Sequence, residues 1–175
     1  AGRSRYPNEH PFQVAFLNGE LSKEQLQTWS ANRFYFHNAI PRKDCAVLTA
    51  LLTDAPDDKD GIMMWGQKVA EEQGNEEEES HPSMFLRWCE GLGMTKEQVF
   101  NTEVFPPIKI AVDAYADAAR LYPFTWGVGA SISEFTVPYK MKRMIAAIEK
   151  HYNWVPKDAL DFWTGHMEAD EIHGN

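Results

Sequence analysis

Three side chains that could bind a metal lie close together near the end of the sequence. His166, Asp170 and His173 are spaced four and three residues apart, so in a helix they would share one face. Two imidazoles and a carboxylate are common ligands of transition metals in proteins. A solvated polar face near the end of the chain would produce the same triad, and the triad alone does not separate the two interpretations.

A dinuclear metal site needs further ligands, chiefly carboxylates. Glu134 lies among small and apolar residues, where a buried carboxylate requires a partner. Glu71 ends one amphipathic segment and His81 begins the next, which makes them a second source of ligands. Glu78 lies three residues before His81 and is the alternative to Glu71, although the acidic run at 76–79 otherwise indicates a solvated loop.

The segments that carry these residues are predicted to be helical. Capping-box patterns begin at Ser22 and Thr95, and no segment alternates between polar and apolar residues next to a hairpin turn. We therefore expect an all-α fold, a single domain over residues 1–175 built as a bundle of about seven or eight helices. A glycine- and serine-rich helix is predicted over residues 124–137, and its small residues favour close helix packing over space for a ligand.

The composition limits the classes of partner that this protein is expected to bind. The 175 residues carry a net charge of -9, which disfavours binding to nucleic acid or to an anionic membrane, and no apolar run is long enough to span a bilayer. Cys45 and Cys89 form no CxxC pattern, which favours a reducing, cytoplasmic setting. Cys45 lies in an apolar helical stretch and is expected to be a buried structural thiol.

Three parts of the sequence resemble the heme-oxygenase-like superfamily, specifically its PqqC/TenA branch. Near the start of the chain they are His10-Pro11-Phe12, Gly19-Glu20-Leu21, Asn32-Arg33-Phe34-Tyr35-Phe36 and Ile40-Pro41-Arg42-Lys43-Asp44. In the middle they are Ala111-Val112-Asp113-Ala114-Tyr115 and Ser131-Ile132-Ser133-Glu134-Phe135. At the end the similar stretch is Ala169-Asp170-Glu171-Ile172-His173-Gly174. The similarity covers nearly the whole chain. It implies the heme-oxygenase-like helical fold.

The resemblance also implies a metal site. Heme-oxygenase-like diiron oxidases and oxygenases carry a Glu, a later His, a second Glu and a final His-x3-Asp-x2-His. Matched position by position, these become Glu71, His81, Glu134, His166, Asp170 and His173. The acidic insertion leaves the first ligand open between Glu71, Glu72 and Glu78. The implied cofactor is two iron ions, or a manganese–iron pair, with O2 as co-substrate.

The family further implies a small, amino-acid-derived substrate. Arg33 and Lys43 are candidates to hold its carboxylate, since arginine presents a bidentate fork of donors. His37 and Tyr115 are candidates to line the same pocket. The alternatives are salt bridges or surface charge for the two cations, and simple packing for His37 and Tyr115.

Three functions remain open at this point. The first is a diiron oxidase or oxygenase, the second a cofactorless, PqqC-like oxidase of a quinone precursor, and the third a helical interaction module without catalytic activity. The complete ligand pattern favours the first, because six such side chains converging on one interior site would be costly without a metal. The sequence does not identify the substrate, and it leaves open whether the chain forms a homodimer.

Overall fold

The computed structural model describes residues 10–75, 79–132 and 137–165, except for the side chain of residue 138. Within these ranges the chain forms nine α-helices and no strand, which confirms the all-α prediction. The helices are α1 (Pro11–Asn18), α2 (Lys23–His37), α3 (Ile40–Asp54), α4 (Lys59–Gln73), α5 (His81–Gly91), α6 (Lys96–Phe100), α7 (Pro106–Leu121), α8 (Phe124–Ala130) and α9 (Val137–His151). A 3-10 helix, Lys157–Leu160, leads into helical residues 161–165.

The predicted capping boxes mark true helix starts. The Gln25 amide donates to Ser22 Oγ over 3.2 Å, and the Ser22 amide donates to the Gln25 side chain over 2.8 Å. Thr95 and Gln98 repeat this reciprocal pair at the start of α6. Each box satisfies two amide groups that the helix cannot pair itself, so these boundaries are fixed by local sequence.

The main core is strongly aromatic and lies among α1, α2, α5, α9 and residues 159–163. Its large, fully buried members include Phe16, Phe85, Trp88, Phe162 and Trp163. A second, smaller cluster forms where α3 packs against α4, α7 and α8.

Tyr152 links the first helix of the described chain to the segment that follows α9. Its hydroxyl donates to the Phe16 carbonyl over 3.0 Å, and the Leu21 amide lies 3.4 Å from the same oxygen. The contact joins the end of α1 to the residue that follows α9. Across the described residues, no helix combines the length and the apolar character needed to cross a membrane.

Candidate functional site

A carboxylate and an imidazole meet where α4 ends and α5 begins. His81 Nδ1 lies 3.1 Å from Glu72 Oε2, and only 9% of the Glu72 side chain is exposed. Ser80 caps α5 by accepting a hydrogen bond from the Ser83 amide, which fixes the first turn that presents His81. The pair is therefore held by the last turn of one helix and the first turn of the next.

Of the two neighbouring glutamates, Glu72 is the one whose carboxylate meets His81. Glu71 accepts a hydrogen bond from Gln67 Nε2, 2.9 Å away along the same helix. This geometry favours Glu72 over Glu71 as the first carboxylate of the site, and the assignment to Glu71 stays a prediction. The other residues that the motif implies lie outside the described residues: Glu78, Glu134, His166, Asp170 and His173.

A buried ion pair lies beside Glu72. Lys43 and Asp44 have fully buried side chains 2.5 Å apart, and Lys43 Nζ also donates to Ser131 Oγ. Burial raises the pKa of Asp44, the positive charge of Lys43 opposes that rise, and the negative charge of Glu72 adds to it. Asp44 is thus close enough to Glu72 for the two carboxylates to act on each other.

The four predicted substrate-binding residues are linked through Phe36. Its ring contacts His37 at 5.4 Å and Tyr115 at 5.3 Å between ring centroids. The Arg33 guanidinium lies 5.5 Å from the same ring, and Lys43 Nζ lies 5.4 Å from the Tyr115 ring. The structure therefore brings these residues into one region, while their role in binding a substrate stays a prediction.

His37 is enclosed by aromatic side chains. It is 4% exposed, and its ring lies 4.3 Å from that of Phe85 and 4.8 Å from that of Phe162. An imidazole is one of the few groups that can exchange a proton near neutral pH. Its position in a dry aromatic region suits proton transfer to or from a bound molecule.

Arg33 is held differently from Lys43. Its guanidinium is stacked over the rings of Trp29 and Phe36, at 5.7 Å and 5.5 Å. The Nε atom is buried and makes no hydrogen bond within the described part of the chain. Burial lowers the pKa of Arg33 to about 10, which means that this positive charge is kept in a poorly solvated place.

Lys140, on α9, is a partly buried cation that the sequence analysis missed. Its side chain is half-buried, and the pKa of Lys140 is lowered to about 8, first by burial and then by the positive charge of Arg33. A signal was present in the sequence, since Lys140 precedes the buried residues Met144 and Ile148 by four and eight positions. That spacing puts it on the buried face of α9.

A surface recess opens close to the Glu72–His81 pair. It has a volume of about 390 Å³, and its lining includes Gln73 and Ser80, the residues next to Glu72 and His81 in sequence. Arg42 and Cys45 also line it. Cys45 is exposed, so the prediction of a buried thiol was wrong. A recess of this volume can admit a small molecule.

The described residues alone do not assemble a metal site. Among them, no group of three or more histidine, cysteine, aspartate or glutamate side chains is arranged to hold an ion. Glu72 and His81 do supply one oxygen and one nitrogen donor that face each other. These donor types suit iron or manganese, so the pair fits part of the implied dinuclear site.

Two described contacts lie shortly before other implied ligands in the sequence. Lys43 Nζ donates a hydrogen bond to Ser131 Oγ, three residues before Glu134. The ring of Phe162, four residues before His166, packs edge-to-face against Phe85 of α5, with 4.8 Å between the ring centroids.

Comparison with known proteins identifies the family. The model of the TENA/THI-4/PQQC family matches residues 3–171. The chain belongs to this family. It is 32% identical over 173 residues to the pyrroloquinoline-quinone synthase of Ectopseudomonas mendocina, covering 97% of this chain and 67% of that relative. The corresponding synthase of Cronobacter sakazakii is 30% identical with the same coverage.

A third relative is a longer protein. The bifunctional coenzyme PQQ synthesis protein C/D of Methylorubrum extorquens is 31% identical over 163 residues, which are 93% of this chain and 42% of that protein. Membership of the TENA/THI-4/PQQC family confirms the resemblance found in the motifs, and the helical structure agrees with it. Neither comparison bears on which individual residues bind a metal or a substrate.

Proposed function

We propose that this protein is an oxidase that uses O2 to oxidise a small, carboxylate-bearing molecule. The observation that carries the proposal is the cluster around Phe36, whose ring contacts the Arg33 guanidinium, the His37 imidazole and the Tyr115 phenol ring. Such a region can bind, orient and desolvate a flat polar molecule. Relatives named for a synthase of pyrroloquinoline quinone support an oxidative role in biosynthesis.

The names of the relatives favour the cofactorless version of this function over the diiron version. In the cofactorless version the substrate is a quinone precursor, and electrons pass from it directly to O2. Each two-electron step would remove two electrons and two protons from the substrate and reduce one O2 to hydrogen peroxide. The protein would then contribute binding, orientation and proton transfer.

The tasks of binding the substrate and transferring its protons can be assigned to particular described residues. Arg33 binds a carboxylate of the substrate, since its guanidinium is buried and its Nε has no acceptor among the described residues. A ring nitrogen of His37 accepts a proton from the substrate as electrons leave it. The rings of Phe36, Phe85 and Phe162 exclude water from this imidazole.

A dinuclear metal oxidase or oxygenase is the second candidate, and the Glu72–His81 pair favours it. Glu72 and His81 would hold one of the ions through an oxygen and a nitrogen donor. Iron, when bound, would supply the electrons that activate O2. Asp44, fully buried near Glu72, would limit how far the Glu72 carboxylate can move.

One experiment tests the proposal and separates its two versions. The chain is expressed in a bacterium that lacks its own pyrroloquinoline-quinone synthase, and the quinone is measured in the culture. Purified protein, stripped of metal or loaded anaerobically with ferrous iron, is mixed with the quinone precursor that this bacterium accumulates and is assayed for O2 consumption alongside.

Restored quinone synthesis together with O2 use by the metal-stripped protein supports the cofactorless version. O2 use that requires iron, and that is lost in Glu72→Gln, supports the metal version. No quinone and no O2 use in either preparation contradicts the proposal and favours a helical interaction module instead.

A further inference from the structure

The surface recess that Arg42 and Cys45 line lies where the helices α2 to α6 meet. Its volume of about 390 Å³ is enough for a small organic molecule. Phe34 lines the recess from α2, whereas Arg33 of the proposed substrate region is the residue before it. Neighbouring residues of a helix point about 100° apart, so the recess and the substrate region use different faces of α2.

Part of the lining of this recess is apolar and aromatic. The rings of Phe34 and Phe100 pack edge-to-face, with 5.3 Å between their centroids. Phe34 and Leu86 are buried, whereas 62% of Phe100 is exposed. Because Phe100 keeps so much of its surface open, an apolar group in the recess can remove further apolar area from water.

The polar part of the lining is rich in hydrogen-bond donors. Arg42 contributes a guanidinium, and Asn38 and Gln73 contribute carboxamide groups. A guanidinium can donate two parallel hydrogen bonds to the two oxygens of one carboxylate. The recess therefore combines an apolar surface with donors that suit a negatively charged group.

Two helices begin at the recess and add to its positive character. Pro41 and Arg42 belong to the first turn of α3. Pro82 and Ser83 belong to the first turn of α5, which Ser80 caps by accepting a hydrogen bond from the Ser83 amide. The N-terminal end of a helix carries a partial positive charge, so both helix starts act in the same direction as Arg42.

We propose that this recess is a binding site for a small organic carboxylate with an apolar body of about one ring. Arg42 pairs with the carboxylate, and Phe34 and Phe100 contact the ring. One cation matches the single negative charge of a carboxylate, whereas a phosphate monoester carries a charge of about -1.5 to -2 at neutral pH. The site goes beyond the proposed function, because it is separate from the region around Phe36 and needs neither O2 nor a metal.

Cys45 provides a direct readout, because it is an exposed thiol in the lining of the recess. Cys89 is fully buried, and burial raises the pKa of its thiol to about 12, so it should stay unreactive at neutral pH. The full chain is treated with dithiobis(nitrobenzoate), whose rings carry carboxylates, or with the uncharged dithiodipyridine. In both reactions the Cys45 thiolate attacks one sulfur, the S–S bond of the reagent breaks, and a coloured aromatic thiol leaves.

Arg42→Gln tests the role assigned to the guanidinium. It should slow labelling by the carboxylated disulfide at least about fivefold and change labelling by dithiodipyridine less than about twofold. The uncharged reagent controls for any change in the thiolate fraction of Cys45. Arg120→Gln removes the same charge from an exposed position on α7 and should change both rates by less than about twofold.

A competition measurement tests binding without a covalent bond. Saturating benzoate should slow the labelling of wild-type Cys45 by dithiodipyridine at least about threefold, and it should protect Arg42→Gln less than about twofold. Benzamide and phenyl phosphate should protect the wild type less than benzoate does.

Four results would overturn the proposal: equal labelling of wild type and Arg42→Gln by the carboxylated disulfide, an equal loss of rate with both reagents, no protection by benzoate, or stronger protection by phenyl phosphate. The outcome is independent of the proposed oxidase. A protein that passes these tests and consumes no O2 retains the recess site and loses the oxidase function.

Discussion

At the scale of single residues, the interior charges fall into two kinds. Lys43 and Asp44 neutralise each other in full burial, and Ser131 takes a further hydrogen bond from the lysine. Arg33 and Lys140 lack such a partner among the described carboxylates, and burial lowers the pKa of both. The first pair is neutral overall, whereas each cation of the second kind loses hydration without a described carboxylate to offset the cost.

The first prediction concerns the stability cost of Lys140. Its folded-state pKa of about 8 lies below the ordinary lysine value of 10.5, so the unfolded chain binds this proton more tightly. The charged lysine therefore destabilises the fold below about pH 8, and this penalty fades as the pH rises towards 10.5. Lys140→Met should raise the free energy of unfolding at neutral pH by about 1–3 kcal/mol.

Urea denaturation at neutral pH and at about pH 10 measures this effect. The advantage of Lys140→Met over the wild type should shrink at the higher pH. Lys142→Met, on the exposed face of α9, should change stability by no more than about 0.5 kcal/mol at either pH. A Lys140→Met variant that is less stable at neutral pH would show that the lysine contributes to the fold.

The second prediction separates the neighbouring glutamates of α4. Glu72→Gln removes a buried charge that faces His81, whereas Glu71→Gln changes a side chain bonded along its own helix. Under the metal version of the function, Glu72→Gln should lower bound iron and O2 consumption at least about tenfold, because an amide is a poor ligand in place of a carboxylate.

Glu71→Gln is the matched control and should leave both quantities within about twofold of the wild type. Iron content and O2 uptake after anaerobic loading are the measurements. If Glu71→Gln causes the larger loss, the ligand is Glu71, as the motif matching had it. If neither variant has an effect, this carboxylate pair lies outside the functional site.

The sequence predicted the types of residue in the site well, and it predicted less well which position of a helix faces inward. The motif indicated a glutamate near 71 and a histidine at 81, but adjacent helical positions point about 100° apart, and the acidic insertion obscured which position faces inward. The apolar neighbours of Cys45 suggested burial, yet it lies on the exposed side of α3. Only the packing of neighbouring helices decides such orientations.

At the scale of elements, α8 shows how small residues set helix packing. A Cβ atom added to Gly127 would overlap Val47 Cγ2 of α3 and would lie 2.9 Å from Ala119 Cβ of α7. Gly129, two residues later on the same helix, has open space at its Cβ position. The close-packing interpretation of this glycine-rich stretch is therefore confirmed at Gly127 and does not extend to Gly129.

The third prediction follows from this contrast. Gly127→Ala should destabilise the protein by about 1–3 kcal/mol, since α8 must move away from α3 and α7 to make room. Gly129→Ala should be neutral or stabilising by up to about 1 kcal/mol, because alanine favours the helix and meets nothing. Thermal or urea denaturation of both variants compares them, and equal effects would contradict the packing assigned to α8.

Local sequence located most elements but not all their ends. The capping boxes at Ser22 and Thr95 satisfy backbone groups locally, so their helix starts could be predicted. The helix expected over 124–137 instead ends at Ala130. Glycine-rich segments have weak intrinsic helix preference, and the end of α8 depends on contacts with α3 and α7.

At the scale of the whole molecule, the resemblance carried the fold prediction and the family match confirms it. Periodicity alone gave the helical class, and the aromatic interior between α2, α5 and residues 162–163 could not be derived from it. The contact of Tyr35 with Asp113 joins residues far apart in sequence, so it becomes visible only in the folded chain. The predictions of a cytoplasmic location and a homodimer remain predictions.

The most direct test of the central claim follows the oxidation itself. The quinone precursor is isolated from a bacterium that lacks its pyrroloquinoline-quinone synthase, mixed anaerobically with metal-stripped protein, and then exposed to O2. The account predicts O2 consumption with matching hydrogen peroxide and quinone absorbance. O2 consumption no faster than without protein, both before and after loading with ferrous iron, would contradict it.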